Sequence, residues 1–222
     1  MTTETREHDA TPDEVAFHEA GHAMVMFMHG ARVELVTIEP TDDSLGRVRS
    51  TNLYGFPMAT AMLRGNKNSR AYGRVHLLDI ARVNAAGPVA ESFRRGTEDP
   101  PCWTVGGGWG WDLPAGDVLD DYGCDAANIY AAFRFISPRH PLATIGYEHR
   151  LLRDLRAYFK SRREVLRDLA VMLLGERTIP GDAMCDAMFQ AHERRGVDPY
   201  DPRMHGSWWW LPKPPTEEKT AR

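Results

Sequence analysis

The sequence predicts a mainly α-helical domain with one small β-hairpin. Helical segments recur from residue 12 to residue 194, and only residues 33–49 combine β-branched residues with turn residues. The chain has 222 residues, 42% hydrophobic and 26% charged, which suffices for one core. We therefore expect a disordered lead-in over residues 1–10, one domain over 11–195, and a Pro- and Trp-bearing tail over 196–222.

Charge and hydropathy argue against several classes of protein. Twenty-seven Lys and Arg against 31 Asp and Glu give a net charge of -4. The chain therefore lacks the excess of basic residues that would predict a nucleic-acid partner. The longest apolar stretch, residues 23–28, is far shorter than the roughly 18 residues of a membrane span. The first ten residues are polar and acidic, unlike a signal peptide. Together with three cysteines that lack a C-x-x-C pair, these features predict a soluble cytoplasmic protein with free thiols.

The first helix has the clearest start signal. Thr11 stands at the N-cap position, Pro12 at the first helical position, and Glu14 three residues after the cap. This capping-box pattern satisfies backbone N–H groups that have no partner within the helix. We expect the helix to cover residues 12–29 and to be closed by Gly30.

Hydrophobic periodicity and the positions of Gly and Pro predict the remaining elements. We expect, in chain order, a hairpin of residues 33–38 and 45–49 around a turn at 40–44, helices over 69–86, 88–93, 125–136, 147–174 and 183–194, and a turn with an N-cap at 179–182. Pro88 lacks a backbone N–H, so Gly87-Pro88 predicts a kink or a fresh helix start. Gly175 is expected to end the long amphipathic helix. Residues 97–116, rich in Gly, Pro and Trp, predict a long loop.

A metal-binding pattern lies inside the first predicted helix. His18-Glu19-Ala20-Gly21-His22 has the form H-E-x-x-H, and the spacing of four places both histidines on one helix face, about one turn apart. Both imidazoles can then reach one metal ion, while Glu19 can contact a water molecule on that ion. This geometry is typical of a zinc hydrolase. Gly21 costs about 1 kcal/mol relative to Ala within a helix, so it needs a packing reason.

Two histidines do not complete a catalytic zinc site, which takes three protein ligands and leaves one position for water. His29 lies about two turns beyond His22, which is too far, and is expected to interact with the helix dipole instead. The metzincin pattern requires Gly at position 25 and His at position 28, where this chain has Val25 and Met28. The residues alone leave four acidic candidates open: Glu91, Asp120, Asp121 and Asp125.

Four blocks occur in order: VAFHEAGHA at 15–23, VTIEPTDDSLGRV at 36–48, NAAGPVAESF at 84–93 and VLRDLAVMLLGERTIPGDAM at 165–184. Their order and spacing resemble the peptidase domain of FtsH-type AAA zinc metalloproteases. HEAGH by itself recurs in unrelated zincins, but four ordered blocks make the resemblance more specific. The resemblance covers residues 11–190 and implies a zinc metallopeptidase domain over residues 11–195.

The resemblance also implies a third zinc ligand. In that family the ligand is an Asp that begins a helix, which on this chain points to Asp125, with Ile129 and Phe133 on the buried face of the same helix. Asp121 is the second choice. Glu91 then lies near the site, where it could orient a ligand imidazole by a hydrogen bond. An ordinary helix Glu without such a role is an equally good interpretation.

The chain departs from that family in two ways. Gly87-Pro88 stands where the family usually has a continuous helix. No G-x-x-x-x-G-K-[ST] occurs, and the Gly-rich residues 106–110 lack the Lys and the following helix of a phosphate site. We therefore expect neither intrinsic ATP-driven unfolding nor the membrane anchor of FtsH-type enzymes. The resemblance predicts a free-standing peptidase domain, and it leaves open a homo-oligomer and an ATPase partner in trans.

These observations predict a metalloendopeptidase that hydrolyses flexible or unfolded polypeptides. Zn2+ held by His18, His22 and Asp125 would activate water and polarise the scissile carbonyl, while Glu19 would move the proton. Two alternatives stay open: a non-catalytic peptidase-like binding or regulatory module, and a different zincin fold with Glu91 as the third ligand. The intact Glu19 argues against the first, because a non-catalytic module has no need of a general base.

Four surface features carry both a functional and a structural interpretation. The hairpin could offer an edge strand to an extended peptide, or be a structural ribbon only. Residues 103–111 favour a variable surface loop over a lid. Residues 208–211, three Trp and one Leu, are expected to fold back or to form a subunit contact. A basic stripe favours a solvated helix face over a nucleic-acid surface: Arg150, Arg153, Arg156, Lys160, Arg163 and Arg167.

Overall fold

The computed structural model describes residues 10–41, 44–51, 56–96, 125–136 and 141–199. Within these ranges the chain forms, in order, α1 (Pro12–Met28), β1 (Arg32–Thr37), β2 (Arg47–Thr51), α2 (Phe56–Leu63), α3 (Lys67–Arg95), α4 (Asp125–Ile136), α5 (Pro141–Ser161), α6 (Arg163–Glu176), β3 (Thr178–Pro180) and α7 (Gly181–Arg195). The predicted mainly α fold with a small sheet is confirmed. None of the helices in these ranges has both the length and the apolarity to cross a membrane.

Helix α1 begins as its sequence predicts. The Thr11 backbone N–H donates to Glu14 Oε2 over 2.9 Å, and the Glu14 N–H donates to Thr11 Oγ1 over 3.3 Å, which completes the capping box. The helix ends at Met28, and Gly30 takes the left-handed conformation at φ 72° that suits a residue beyond a helix end. Helix α1 packs against α3 and α6 and against both strands of the hairpin.

The sheet has three antiparallel strands in the order β2-β1-β3. The predicted hairpin is present, with Val36 of β1 opposite Val48 of β2. The predicted turn at 179–182 is wrong, because Thr178–Pro180 pairs with the other side of β1, with Ile179 opposite Val36. Ile179 is fully buried, so apolar burial places this short segment in the sheet.

Helix α3 is continuous, so the fresh start predicted at Pro88 is wrong. Residues on both sides of Pro88 are fully buried, including Ala86 and Ala90, and their packing outweighs the hydrogen bond that Pro cannot donate. Ala86 and Ala90 face Gly21 of α1, where a Cβ would lie 2.5 Å from Ala90 Cβ and 2.7 Å from the Ala86 carbonyl oxygen. This close crossing of α1 and α3 is the packing reason that Gly21 requires.

The long helix predicted over 147–174 is instead two helices that meet at Arg162, where the backbone leaves the helical region at φ -123° and ψ 24°. The Arg162 side chain is buried; its guanidinium lies 4.5 Å from the Tyr158 ring centroid and donates to the Asp198 carbonyl. Gly175 does not end α6. Arg177 follows the last helical residue, Glu176, with φ 59°.

Several predicted features lie outside the described residues. These are the lead-in over residues 1–9, the whole loop at 97–116, most of the tail, Asp120, Asp121, the two cysteines Cys102 and Cys124, and residues 208–211. The remaining cysteine, Cys185, is a half-buried free thiol, as predicted.

Candidate metal centre

Helix α1 presents the two histidines of the H-E-x-x-H pattern on one face, one turn apart. The ring centroids of His18 and His22 lie 4.7 Å apart, with the rings inclined at 73°. A hydrogen bond holds each ring through Nδ1. His22 Nδ1–H donates to the Val83 carbonyl oxygen over 2.6 Å, and His18 Nδ1–H donates to Glu91 Oε2 over 3.3 Å. Because a proton on Nδ1 leaves the lone pair of a neutral imidazole on Nε2, both Nε2 atoms are available to a metal.

Asp125 brings the third ligand atom to the two imidazoles. As the first residue of α4 it extends from the helix end, where the helix dipole favours a carboxylate. Its Oδ2 lies 3.1 Å from His18 Nε2 and 3.3 Å from His22 Nε2. These three ligand atoms lie within 4.8 Å of one another.

The three ligand atoms fit one metal ion. Two ligands about 2.1 Å from a tetrahedral ion lie about 3.4 Å from each other. The distances from Asp125 Oδ2 to the Nε2 atoms of His18 and His22, 3.1 and 3.3 Å, are close to this separation. The cluster could therefore hold a metal ion, with three protein ligands and a further position for water or substrate.

Gly87 of α3 provides the space that the two imidazoles occupy. A Cβ on residue 87 would lie 2.4 Å from His22 Nε2 and 2.6 Å from His18 Nε2. Any other residue at this position would therefore displace both ligand atoms. The absence of a side chain at Gly87 lets α3 pass directly beside the metal-facing edge of the rings.

The electrostatics of the cluster favour a shared cation. Burial lowers the pKa of both imidazoles, but the Asp125 carboxylate outweighs it, raising the pKa of His18 to about 10 and that of His22 above its ordinary value. Burial raises the pKa of Asp125, yet the two imidazoles hold it well below its usual range. Two bases and one carboxylate packed this closely bind either protons or a metal ion, because both supply the positive charge that the carboxylate requires.

Glu19 lies beside the cluster without belonging to it. Its side chain is buried, at 6% exposure, and burial raises the pKa of its carboxyl group, although His22 and His18 oppose the shift. Gly46, the residue before β2, passes close to it, since a Cβ there would lie 2.7 Å from Glu19 Oε1. The start of β2 therefore lies next to the carboxylate that the sequence predicts as the general base.

The structure thus brings together five predicted site residues: His18, Glu19, His22, Glu91 and Asp125. Glu91 contacts the far nitrogen of His18, which matches the predicted orienting contact rather than a ligand position. Asp121, the alternative third ligand, lies outside the described residues. His29 lies apart from the cluster at the end of α1, with Nδ1 3.4 Å from Asp79 Oδ1.

Sequence reasoning missed three contributors to the site. The Val83 carbonyl carries no sequence signal, because every residue has one. Gly87 and Gly46 had a signal, since a glycine within a helix or before a strand often marks a close approach.

No family model matches the chain, and no curated protein matches it at a significant level. The resemblance to FtsH-type peptidase domains therefore stays a prediction from the sequence blocks. The geometry of the site carries the functional argument.

Proposed function

We propose that this chain is a zinc-dependent metallopeptidase related to FtsH-type peptidase domains. One observation carries the proposal: Nε2 of His18, Nε2 of His22 and Oδ2 of Asp125 lie within 4.8 Å of one another, beside the buried Glu19. Two imidazoles and one carboxylate are ligands that suit Zn2+, and three protein ligands are the number found in catalytic zinc sites.

In this proposal, some residues hold and orient the metal ligands, and Glu19 transfers the proton. His18, His22 and Asp125 would hold the zinc ion, which would lower the pKa of water and polarise the scissile carbonyl group. Glu19 would accept a proton from the attacking water on its carboxylate and pass it to the leaving amine. Its burial supports this role, because a carboxylate with a raised pKa is a stronger proton acceptor. Val83 and Glu91 hold the imidazoles so that Nε2 of each faces the cluster.

The position of β2 supports an extended peptide as the substrate. In the described part of the chain, β2 pairs with β1 on one side only, and it begins at Arg47, one residue after the Gly46 that lies against Glu19. A peptide that adds to the free edge of β2 would bind through main-chain hydrogen bonds close to the general base. Such binding gives broad sequence preference, and it requires a flexible or unfolded polypeptide.

The first test is the zinc content of the purified protein by elemental analysis, with Asp125→Ala, Asp121→Ala and Glu91→Ala as variants. We expect about one zinc per wild-type chain, lost in Asp125→Ala, retained in Asp121→Ala, and bound more weakly in Glu91→Ala. Circular dichroism confirms that each variant is folded. Wild-type protein that takes up no zinc after reconstitution would contradict the proposal.

The second test is cleavage of unfolded polypeptides by the zinc-loaded wild type. Zinc binding without hydrolysis of any unfolded substrate would favour the non-catalytic alternative, a binding or regulatory module. Loss of zinc in Asp121→Ala but not in Asp125→Ala would identify Asp121 as the third ligand.

A further inference from the structure

A line of charged contacts runs from the metal centre to the N-terminal end of α1. It starts at Glu91, which has two different partners on its two oxygens. Oε2 accepts from Nδ1–H of His18 over 3.3 Å, while Oε1 accepts from Nη2–H of Arg95, four residues further along α3. The Glu91 side chain is 13% exposed, so few of its contacts are to solvent.

Arg95 is held on its other side by Glu14. Arg95 Nε–H donates to Glu14 Oε1 over 3.0 Å, and the second oxygen of Glu14, Oε2, accepts the Thr11 backbone N–H over 2.9 Å. The capping box that starts α1 is therefore linked, through Arg95 and Glu91, to a ring that faces the metal site. Arg95 uses two nitrogens of its planar guanidinium for two carboxylates, a geometry that the single ammonium group of Lys does not reproduce.

We propose that Arg95 is a positioning residue of the metal centre: anchored by Glu14, it fixes the Glu91 carboxylate, which in turn fixes the His18 ring with Nε2 toward the metal. The inference rests on the proposed metal site. Without Arg95, Glu91 loses the partner that holds one of its oxygens, and the carboxylate can rotate away from His18 Nδ1. Supporting residues of this kind change metal affinity by about 10- to 100-fold when they directly contact a ligand.

The chain contains a matched control in the neighbouring residue. Arg94 also joins the end of α3 to the start of α1, through an ion pair with Asp13, and both side chains are more exposed, at 42% and 36%. It makes its ion pair with Asp13 and is also attracted by Glu14, but within the described residues it forms no ion pair with Glu91. A loss common to Arg94→Ala and Arg95→Ala would reflect the joining of the two helices, whereas a loss specific to Arg95→Ala reflects the contact with Glu91.

The experiment measures zinc affinity by competition with a colorimetric zinc chelator, on the full-length chain. We expect Arg95→Ala to bind zinc about tenfold more weakly than wild type, Arg95→Lys to recover only part of the loss, and Arg94→Ala to stay within about twofold of wild type. Glu14→Gln, which weakens the anchor without touching Glu91 or His18, should reduce zinc affinity less than Arg95→Ala does. Glu14→Gln also supplies the test if Arg95→Ala does not fold.

A double-mutant cycle then separates positioning from general stability. If Arg95 acts through Glu91, the double variant Glu91→Ala/Arg95→Ala binds zinc as weakly as Glu91→Ala alone. Additive losses, equal losses in Arg94→Ala and Arg95→Ala, or wild-type affinity in Arg95→Ala would each overturn the inference while leaving the zinc site in place. A wild-type chain that binds no zinc would instead overturn the proposed function.

Discussion

The backbone of Gly87 passes His22 so closely that a Cβ on residue 87 would lie 2.4 Å from the ring atom Nε2. Since His22 Nδ1 is fixed by a 2.6 Å hydrogen bond to the Val83 carbonyl, the ring cannot turn away without losing that bond. Val83 and Gly87 lie on consecutive turns of α3, so one helix both holds the ring and makes room for it. The glycine within the helix is therefore part of the candidate metal site.

Gly87→Ala is expected to weaken zinc binding at least about tenfold while leaving the protein folded. The added methyl group displaces the Nε2 atoms of His18 and His22, and ligand geometry must be held to within about 0.5 Å. Ala favours the helix by about 1 kcal/mol relative to Gly, so helix formation itself is not weakened. Chelator competition gives the affinity, and circular dichroism gives the helix content.

Gly175→Ala is the matched control for this variant. Gly175 also lies within a helix, α6, but no side chain or other element of the described residues comes within 4 Å of where its Cβ would be. The substitution should raise the free energy of unfolding by about 0.5–1 kcal/mol and leave zinc affinity unchanged. Equal zinc affinity in Gly87→Ala and Gly175→Ala would show that the space beside His22 is unimportant for the metal.

Glu19→Gln is expected to keep zinc and to lose about 10²- to 10⁴-fold in the rate of peptide hydrolysis. The amide has nearly the shape of the carboxylate but cannot take the proton of water, and Glu19 is not one of the three grouped ligand residues. The measurement is kcat/KM on an unfolded polypeptide, with zinc content determined on the same sample. Glu193→Gln, at an exposed position of α7, serves as the control. Hydrolysis that survives in Glu19→Gln would assign the general base elsewhere.

Local sequence signals predicted the elements that carry the ligands. The capping box of Thr11 and Glu14 fixes the start of α1, and helical spacing alone places His18 and His22 on one face. The start of α4 at Asp125 also agrees, with Ile129 and Phe133 buried as predicted. Each of these features depends on residues within a few positions of one another, which is why the sequence carries them.

The features that were not predicted depend on contacts between residues that are far apart in the sequence. Pro88 is a helix breaker by its own chemistry, and only the packing of Ala86 and Ala90 against Gly21 keeps α3 continuous. Ile179 forms a strand because β1 offers a partner some 140 residues earlier in the chain, as the pairing of Thr37 with Thr178 shows. Helix α2 was not predicted either, although Pro57 in its first turn is a helix start signal.

Gly181→Ala is expected to lower the free energy of unfolding by about 1–3 kcal/mol. Gly181 begins α7 directly against β1, where a Cβ would lie 1.9 Å from the Val33 carbonyl oxygen, and a backbone atom cannot move aside as a side chain does. The measurement is the urea midpoint at constant slope. Gly146→Ala, in α5, has no contact within 4 Å of its Cβ position among the residues that the structure describes, so it should not lower the midpoint. A stable Gly181→Ala would show that α7 does not pack this closely on the strand.

Glu148 of α5 is a buried acid that the proposed chemistry does not use. Its side chain is only 7% exposed, and burial raises the pKa of its carboxyl group to about 7. In the unfolded chain the same group titrates near 4.5. Between these two pH values the folded protein holds a proton that the unfolded chain releases, so the folded state binds more protons.

Stability should therefore fall as the pH rises from about 4.5 to about 7, because Glu148 must either keep its proton or ionise within the core. This one group contributes a slope of up to about 1.4 kcal/mol per pH unit in that window. Glu148→Gln resembles the protonated acid at every pH, so relative to wild type it should gain stability as the pH rises from 5 to 8. The check is urea unfolding across this range, with the exposed Glu193→Gln expected to follow wild type. Parallel curves for wild type and Glu148→Gln would mean that Glu148 titrates alike in both states, and hence that solvent reaches its carboxyl group.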